Sequence, residues 1–255
     1  MHSFCGEFGG CHFLTALPVY NEVGSVNAVL DQVLKYSPDV LVVDDGSTDG
    51  TSQLLDARRD IAVVRHPRNR GYGAALQTAF EYAISHEYDV LVTIDCDGQH
   101  EPQRIRQFVE RCVARRADIV SGSRYLQTFA EDSTAPADRR QINQQITREI
   151  NEALGLQITD AFCGFKAYRV CALRKLRIHE TGYAMPLEVW VQAAHSGLRI
   201  EELAVPRIYL DAKRSFGETL DNPTARLEYY RRVLADAIER FPPACRQPDV
   251  SGCGS

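Results

Sequence analysis

Short apolar runs alternate with helical patterns between residues 13 and 124, and this alternation constrains the fold more than any other feature. The runs are rich in Val and Ile and too short for helices, so they indicate buried strands. The segments between them place apolar side chains on one helix face, as Val26, Leu30 and Val33 do. The alternation predicts an α/β fold with a mostly parallel, Rossmann-like sheet flanked by helices. The predicted strands are residues 13–19, 40–45, 61–65, 90–95 and 119–123.

The pattern changes after residue 125. Residues 126–140 are rich in Ser, Thr, Pro, Ala and charge and predict a mobile loop. An amphipathic helix follows, with its apolar stripe at Ile142, Ile146, Ile150 and Leu154. A mixed α+β portion comes next, with strands predicted at 162–168 and 200–208, a helix at 186–194 and a last helix marked by Leu227, Tyr230, Leu234 and Ile238.

These patterns predict one domain at residues 13–240, between disordered segments at 1–12 and 241–255. Within it we distinguish a donor half (13–125) and an acceptor half (126–240). The 255 residues suffice for one large α/β domain.

Composition limits the classes of function. A formal net charge of −5 argues against broad electrostatic binding to nucleic acid. No apolar run approaches the roughly 18–20 residues of a membrane-spanning helix, and the first residues do not resemble a secretory signal. The eight cysteines form no Cys-x-x-Cys pair, so we expect reduced thiols and a cytoplasmic location.

Polar motifs follow four of the predicted strands. In parallel sheets ligands collect at the carboxyl ends of strands, so we expect these four loops to converge on one edge of the sheet. The motifs are Pro18-Val19-Tyr20-Asn21-Glu22, Asp44-Asp45-Gly46-Ser47, Asp95-Cys96-Asp97-Gly98-Gln99 and Ser121-Gly122-Ser123-Arg124.

The Asp95-Cys96-Asp97 motif predicts a metal site. Two carboxylates that flank one residue at a strand end can reach a shared cation, and their hard oxygens suit Mg²⁺ or Mn²⁺. Such a cation stabilises the negative charge that develops on a diphosphate leaving group. The motif alone is weak evidence for a metal site, because many surface loops contain Asp-x-Asp. It becomes stronger evidence here because it follows a clearly predicted strand.

Two other motifs have both a binding and a structural interpretation. Asp45 can accept a hydrogen bond from uracil or guanine, whereas Asp49 suits capping of the next helix. Tyr20 and Glu22 can contact a base and a ribose, but Glu22 also suits the first turn of the helix that follows.

Read together, the motifs resemble the inverting family 2 glycosyltransferases with a GT-A fold. The order Pro-x-Tyr-Asn-Glu, Val-Asp-Asp-Gly-Ser, Asn-x-Gly-x-Gly and Asp-x-Asp-x-Gln-His carries the resemblance, which is closest to the dolichol-phosphate mannose synthase and polyprenyl-phosphate glycosyltransferase branch. Ile119–Tyr125 and Asp160–Arg169 extend it, so that it covers roughly residues 13–220.

The resemblance implies roles for individual residues. Asp95 is expected to face the ribose or sugar, Asp97 to be the main metal ligand, and Gln99 to complete the metal site. Arg124 is expected near a donor or acceptor phosphate. The residues expected to contact the donor are Pro18, Tyr20, Glu22, Val43, Asp45, Asp95, Cys96 and Arg124.

The acceptor is less well defined. A UDP- or GDP-sugar donor is implied, with a polyprenyl phosphate as the favoured acceptor and a hydroxyl on a soluble glycan as the alternative. A lipid phosphate needs cations to hold it, and a hydroxyl needs a general base, for which Asp160 and Glu188 are the best candidates. The cations considered are Arg124, Arg139, Arg140 and Arg214, and the predicted catalytic set is Asp95, Asp97, Asp160, Glu188 and Arg214.

Two departures from the branch matter. Leu220 stands where the branch has a lysine, which leaves a non-catalytic nucleotide-sugar-binding protein as a rival interpretation. Many relatives also carry membrane helices after the catalytic domain, and this sequence shows no apolar run of that length, so we expect either a peripheral membrane contact or a soluble acceptor. The sequence does not indicate an oligomeric state.

Overall fold

Seven strands form one sheet in the computed structural model, which describes residues 10–114, 117–210 and 219–242. The strands are β1 (Phe13–Val19), β2 (Asp39–Asp44), β3 (Ala62–Arg65), β4 (Val90–Thr93), β5 (Ile119–Ser123), β6 (Lys166–Arg169) and β7 (Ile200–Ala204). The helices are α1 (Val26–Val33), α2 (Thr51–Asp56), α3 (Tyr72–Ser85), α4 (Ile105–Ala114), α5 (Ala137–Leu154), α6 (Val170–Leu173), α7 (Met185–His195) and α8 (Pro223–Arg240).

The sheet is mostly parallel, with the order β3-β2-β1-β4-β6-β5-β7. Strand β1 lies between β2 and β4 and is parallel to both, while β5 pairs in parallel with β7. Strand β6 is antiparallel to its neighbours β4 and β5. The residues that precede β6 therefore lie at the edge where β4 and β5 end. This architecture confirms the predicted α/β fold class.

Both faces of the sheet are covered, which explains why the strands have unbroken apolar runs. Leu14 and Ala16 of β1 join a core with α3, α5, α7 and α8, whereas Phe13 and Leu17 join a second core with α1 and α4. None of the helices in the described ranges is both long and apolar enough to cross a membrane.

Three predicted boundaries were wrong, each for a local reason. The strand predicted at 162–168 begins only at Lys166, because Asp160 and Thr93 bind the preceding segment through its backbone. The strand predicted at 200–208 ends at Ala204, two residues before Pro206, which has no N–H for a ladder. The last residues of the predicted loop 126–140 belong to α5. The predicted disordered segments fall mostly outside the described residues.

The turn at residues 179–184 packs directly on the start of α3. Ala74 N donates to Thr181 O at 3.1 Å, and the Gln77 side chain donates to Glu180 O at 3.0 Å. A Cβ at Gly73 would lie 2.6 Å from Glu180 O, so only glycine fits at this contact.

We expect Gly73→Ala to lower the free energy of unfolding by about 1–3 kcal/mol, because the new methyl group meets backbone that cannot move freely. Urea denaturation measures this change. Gly24→Ala is the matched control, since a Cβ there would meet nothing within 4 Å. Equal free energies of unfolding for the two variants would show that the turn at residues 179–184 can move away from the new methyl group without loss of stability.

Candidate functional site

A cavity of about 860 Å³ lies where the loops after β1, β2, β4 and β5 meet the segment before β6. This volume is near the upper end of the roughly 300–1,000 Å³ typical of small-molecule sites. The loops therefore converge as the parallel strands predict. Of the sequence-predicted site residues, the cavity wall contains Pro18, Tyr20, Glu22, Asp45, Asp95, Cys96, Asp97, Gln99 and Arg124.

Asp95 is held in one orientation by three neighbours. The Tyr72 hydroxyl donates to Asp95 Oδ1 at 3.1 Å, and His100 Nε2 lies 3.2 Å from Oδ2. The carboxylate also packs against Gly164, where a Cβ would clash with Oδ2. Burial and the nearby Asp95 charge raise the pKa of Tyr72 well above its usual range, so its hydroxyl stays protonated and donates.

Asp97 lies two residues further along the same loop and is half-buried at the cavity. Its Oδ1 accepts from the Gln99 backbone N–H at 3.0 Å, across the turn made by Gly98 at φ +74°. Ser25 ties this loop to the loop after β1, because its hydroxyl lies 3.0 Å from Cys96 O and 2.8 Å from Glu22 Oε2. The two loops thus form one connected wall.

Asp45 organises the loop before α3. Its Oδ1 accepts from Arg70 N at 2.9 Å and lies 2.6 Å from His66 Nδ1, and its Oδ2 accepts from Gly71 N at 2.8 Å. A carboxylate offers about four lone-pair sites, so capacity for a base N–H remains. His66 is buried and also contacts Thr78, a role that the sequence analysis did not assign.

Arg124 reaches the cavity from the end of β5, and Asp160 holds it from behind. Arg124 Nε donates to Asp160 Oδ2 at 2.7 Å, and its Nη2 donates to Oδ1 at 2.9 Å. Asn143 adds a hydrogen bond to Oδ1 at 2.8 Å. Burial alone would raise the pKa of Asp160, but the Arg124 charge and these hydrogen bonds outweigh it and hold the pKa well below its usual range.

The structure does not bring either predicted general base to the cavity wall. Asp160 is fully buried and ionised against Arg124, so it is a poor proton acceptor. Glu188 is buried in α7 and accepts from the backbone N–H groups of His179 and Glu180, both at 2.7 Å. Both carboxylates position other groups, which corrects the expectation that they face an acceptor.

Two other predicted residues are placed differently or not described. Val43 is fully buried in the core beside α3 and is not part of the cavity wall, because β2 is covered on both faces. Arg214 lies outside the described residues. Of the remaining predicted cations, Arg139 is in the wall and Arg140 is not.

Several wall residues escaped the sequence analysis. Arg226 of α8 is buried, donates to Asp138 Oδ2 at 2.6 Å and lies in the wall with Arg139. The sequence did contain a signal for Arg226, because this charged residue lies four positions before Tyr230 and therefore on the apolar stripe of α8. Tyr72, His100 and Tyr183 also line the cavity.

The sequence of this chain is similar to those of known glycosyltransferases. The Glycosyl transferase family 2 model matches residues 15–177. The chain belongs to glycosyltransferase family 2. An undecaprenyl-phosphate mannosyltransferase of Micrococcus luteus is 33% identical over 215 residues, which cover 81% of this chain and 86% of the relative. A polyprenol monophosphomannose synthase of Mycolicibacterium smegmatis is 31% identical, covering 75% and 76% of the two chains. The predicted branch of the family is thereby confirmed.

Solved structures of glycosyltransferases share the fold. The glucosyl-3-phosphoglycerate synthase of Mycobacterium tuberculosis, crystallised with Mn²⁺, UDP and glucosyl-3-phosphoglycerate, superposes with a TM-score of 0.68. The match covers 97% of this chain and 84% of the synthase at 19% sequence identity. The predicted GT-A fold is confirmed.

We expect Asp160→Asn to lower the free energy of unfolding of this glycosyltransferase by about 2–4 kcal/mol at neutral pH, since the change leaves the Arg124 charge without its carboxylate in the interior. The folded pKa of Asp160 lies below the unfolded value of 3.8, so its contribution is complete above that value and is lost as the pH falls towards the folded pKa. Urea denaturation between about pH 7 and about pH 3 measures both effects.

The control for this variant is Glu149→Gln, which removes the charge of one partner of an exposed ion pair with Arg231 and should change the free energy of unfolding very little. If Asp160→Asn costs no more than this control and keeps the acid-dependent loss of the wild type, the proposed importance of the buried pair is wrong.

Proposed function

We propose that this glycosyltransferase moves a sugar from a UDP- or GDP-sugar to a polyprenyl phosphate. One observation carries the proposal: a single cavity joins the acidic Asp95–Asp97 loop to a wall of arginines, Arg124, Arg139 and Arg226. The first end suits a metal-bound diphosphate, and the second suits an acceptor anion. The names of two relatives support the acceptor half, since one is an undecaprenyl-phosphate mannosyltransferase and the other a polyprenol monophosphomannose synthase.

The acidic end fits a divalent cation that takes most of its ligands from substrate and water. The described residues contain no cluster of three or more His, Cys, Asp or Glu side chains that could hold a metal by itself. Mg²⁺ and similar ions commonly bind through one or two carboxylates plus substrate phosphates. We assign Asp97 as the main ligand, with Gln99 and Asp95 beside it. When bound, the cation supplies charge stabilisation for the leaving diphosphate.

The acceptor end fits an anion better than a hydroxyl. Glu22, Asp45, Asp95 and Asp97 are the carboxylates of the described wall, and all four lie on loops of the donor half. Asp160 and Glu188 are buried and accept hydrogen bonds from Arg124 and from the backbone of His179. A phosphate monoester, whose second pKa is about 6, is already an anion at neutral pH and needs no base. It needs cations, which Arg124, Arg139 and Arg226 provide.

The reaction follows from this arrangement. An oxygen of the acceptor phosphate attacks the anomeric carbon on the face opposite the diphosphate, and the bond from that carbon to the diphosphate oxygen breaks with inversion. The electron pair leaves with the diphosphate, and no proton is transferred. Arg214 remains a proposed contact of the diphosphate.

Because the acceptor is a lipid, we infer that the protein works at a membrane surface, by peripheral contact on the cytoplasmic face.

The direct test is a transfer assay with purified protein, Mn²⁺ and undecaprenyl phosphate in detergent. GDP-mannose, UDP-glucose and UDP-N-acetylglucosamine are the donors, and formation of a glycosylated lipid is followed by mass spectrometry. We expect transfer from one of these donors to the lipid phosphate. Transfer to a glycan or protein hydroxyl, with none to the lipid, would reject the proposed acceptor.

Asp97→Asn tests the metal site, because the amide keeps the oxygen that accepts from Gln99 N while it removes the charge. We expect calorimetric titration to show that Mn²⁺ no longer strengthens donor binding and that transfer falls by at least about 100-fold. Asp31→Asn, which alters an exposed partner of Arg58, is the control and should behave as wild type. Undiminished Mn²⁺-dependent binding in the Asp97 variant would exclude it as the main ligand.

A further inference from the structure

Two tyrosines form a stacked pair beside the acidic loop. The rings of Tyr72 and Tyr183 have centroids 5.8 Å apart and an interplanar angle of 18°, and both line the cavity. Tyr72 is the first residue of α3, and its hydroxyl donates to Asp95 Oδ1. Tyr183 comes from the turn before α7 and remains 38% exposed.

The turn that carries Tyr183 is fixed from three sides. Glu188 of α7 accepts from the backbone N–H groups of His179 and Glu180, both at 2.7 Å. Tyr229 of α8 donates to Glu180 Oε1 at 2.6 Å. The third side is the contact of Ala74 N with Thr181 O. Contacts within the protein therefore hold the backbone beside Tyr183 in place.

A well-held aromatic ring left open to a cavity indicates a ligand contact. Burying a large aromatic side chain stabilises a protein, and exposing one on a rigid turn forgoes that gain unless a ligand covers it. Aromatic walls with a few fixed polar groups are typical of small-molecule sites. The Tyr72–Tyr183 pair, with Asp95 at its edge, has this composition.

The position of the pair identifies which part of the donor it meets. In the proposed function the diphosphate binds at Asp97, and the sugar is joined directly to that diphosphate. The sugar ring must therefore lie next to the Asp95–Asp97 loop, and Tyr72 is in contact with Asp95. A pyranose has faces made of C–H bonds, which pack on aromatic rings, and an edge of hydroxyls, which hydrogen-bond to a carboxylate.

We propose that the Tyr72–Tyr183 pair is the wall of the donor-sugar subsite, a role that rests on the proposed function. Tyr183 contacts the sugar face and contributes to the choice of sugar. Tyr72 contacts the same ring and also positions Asp95 through its hydroxyl. Glu188 is a positioning residue for this wall.

The test compares binding of a nucleotide sugar with binding of its nucleoside diphosphate. Wild-type protein is titrated with Mn²⁺ and GDP-mannose, UDP-glucose or UDP-N-acetylglucosamine, and the tightest donor is used with the matching GDP or UDP. We expect Tyr183→Ala to weaken the nucleotide sugar by roughly three- to tenfold, while the nucleoside diphosphate binds as before. Tyr183→Phe should keep both affinities.

Tyr82→Ala is the matched control. Tyr82 also lies on α3 and stacks on a neighbouring ring, with its centroid 3.8 Å from that of His86, but it is not part of the cavity wall. Its removal should alter neither affinity. Tyr72→Phe keeps the ring and loses only the hydroxyl, so we expect a lower kcat with a nearly unchanged donor KM.

The outcomes separate this inference from the proposed function. If wild-type protein binds no nucleotide sugar, the proposed function fails. If Tyr183→Ala keeps its thermal unfolding midpoint but weakens GDP or UDP as much as the nucleotide sugar, or changes neither, the sugar-subsite assignment is overturned. A rise confined to the KM of the lipid acceptor would overturn it as well, since it would place Tyr183 on the acceptor.

Discussion

The site depends on the reversed direction of β6. This strand lies between β4 and β5 and is antiparallel to both, so the residues before it sit at the edge where those strands end. Asp160 thereby meets Arg124, and Gly164 meets Asp95. A parallel strand in the same place would deliver both residues to the opposite edge. The backbone fixes the position further, because Thr93 Oγ1 donates to Gly164 O and Gly122 N donates to Phe165 O, both at 2.8 Å.

The carboxylates of this region fall into two groups, those buried inside the protein and those at the cavity wall. A buried charge is costly unless it is paired and hydrogen-bonded, and Asp160 and Glu188 meet this condition inside the protein. Each holds a segment that carries another side chain to the cavity, Arg124 in the first case and Tyr183 in the second. Asp95 and Asp97 stay half-buried at the cavity wall, where a cation or a sugar hydroxyl can reach them. In the proposed function the partly exposed acids contact the metal and the donor, and the buried acids hold the side chains around them in place.

Much of the donor end could be predicted from the sequence because it follows from local rules. Strand–helix alternation indicates which loops share an edge, and Asp45, Asp95 and Asp97 lie in the loops that follow β2 and β4. The direction of the Val43 side chain could not be predicted, because a strand that is covered on both faces has no alternation to show which way a side chain points. Its expected contact with the donor comes from the resemblance to the family alone.

The acceptor end could not be predicted in the same way. The direction of β6 and the turn at 179–184 depend on contacts between residues far apart in the chain, and no local pattern reports them. The Asp160–Arg124 pair spans 36 positions, and the Gln77–Glu180 contact spans 103. Arg226 is the exception that had a local signal, because a charge on the apolar stripe of an amphipathic helix must find a partner or a ligand.

The proposed nucleoside and sugar contacts both lie at the start of α3. Asp45 at the proposed nucleoside end binds the backbone of Gly71, and the next residue, Tyr72, touches Asp95 and stacks on Tyr183. Packed contacts of this kind transmit small displacements, since protein interiors are dense and have few voids. In the proposed function, the residue that meets the base and the wall that meets the sugar are therefore joined through one helix terminus.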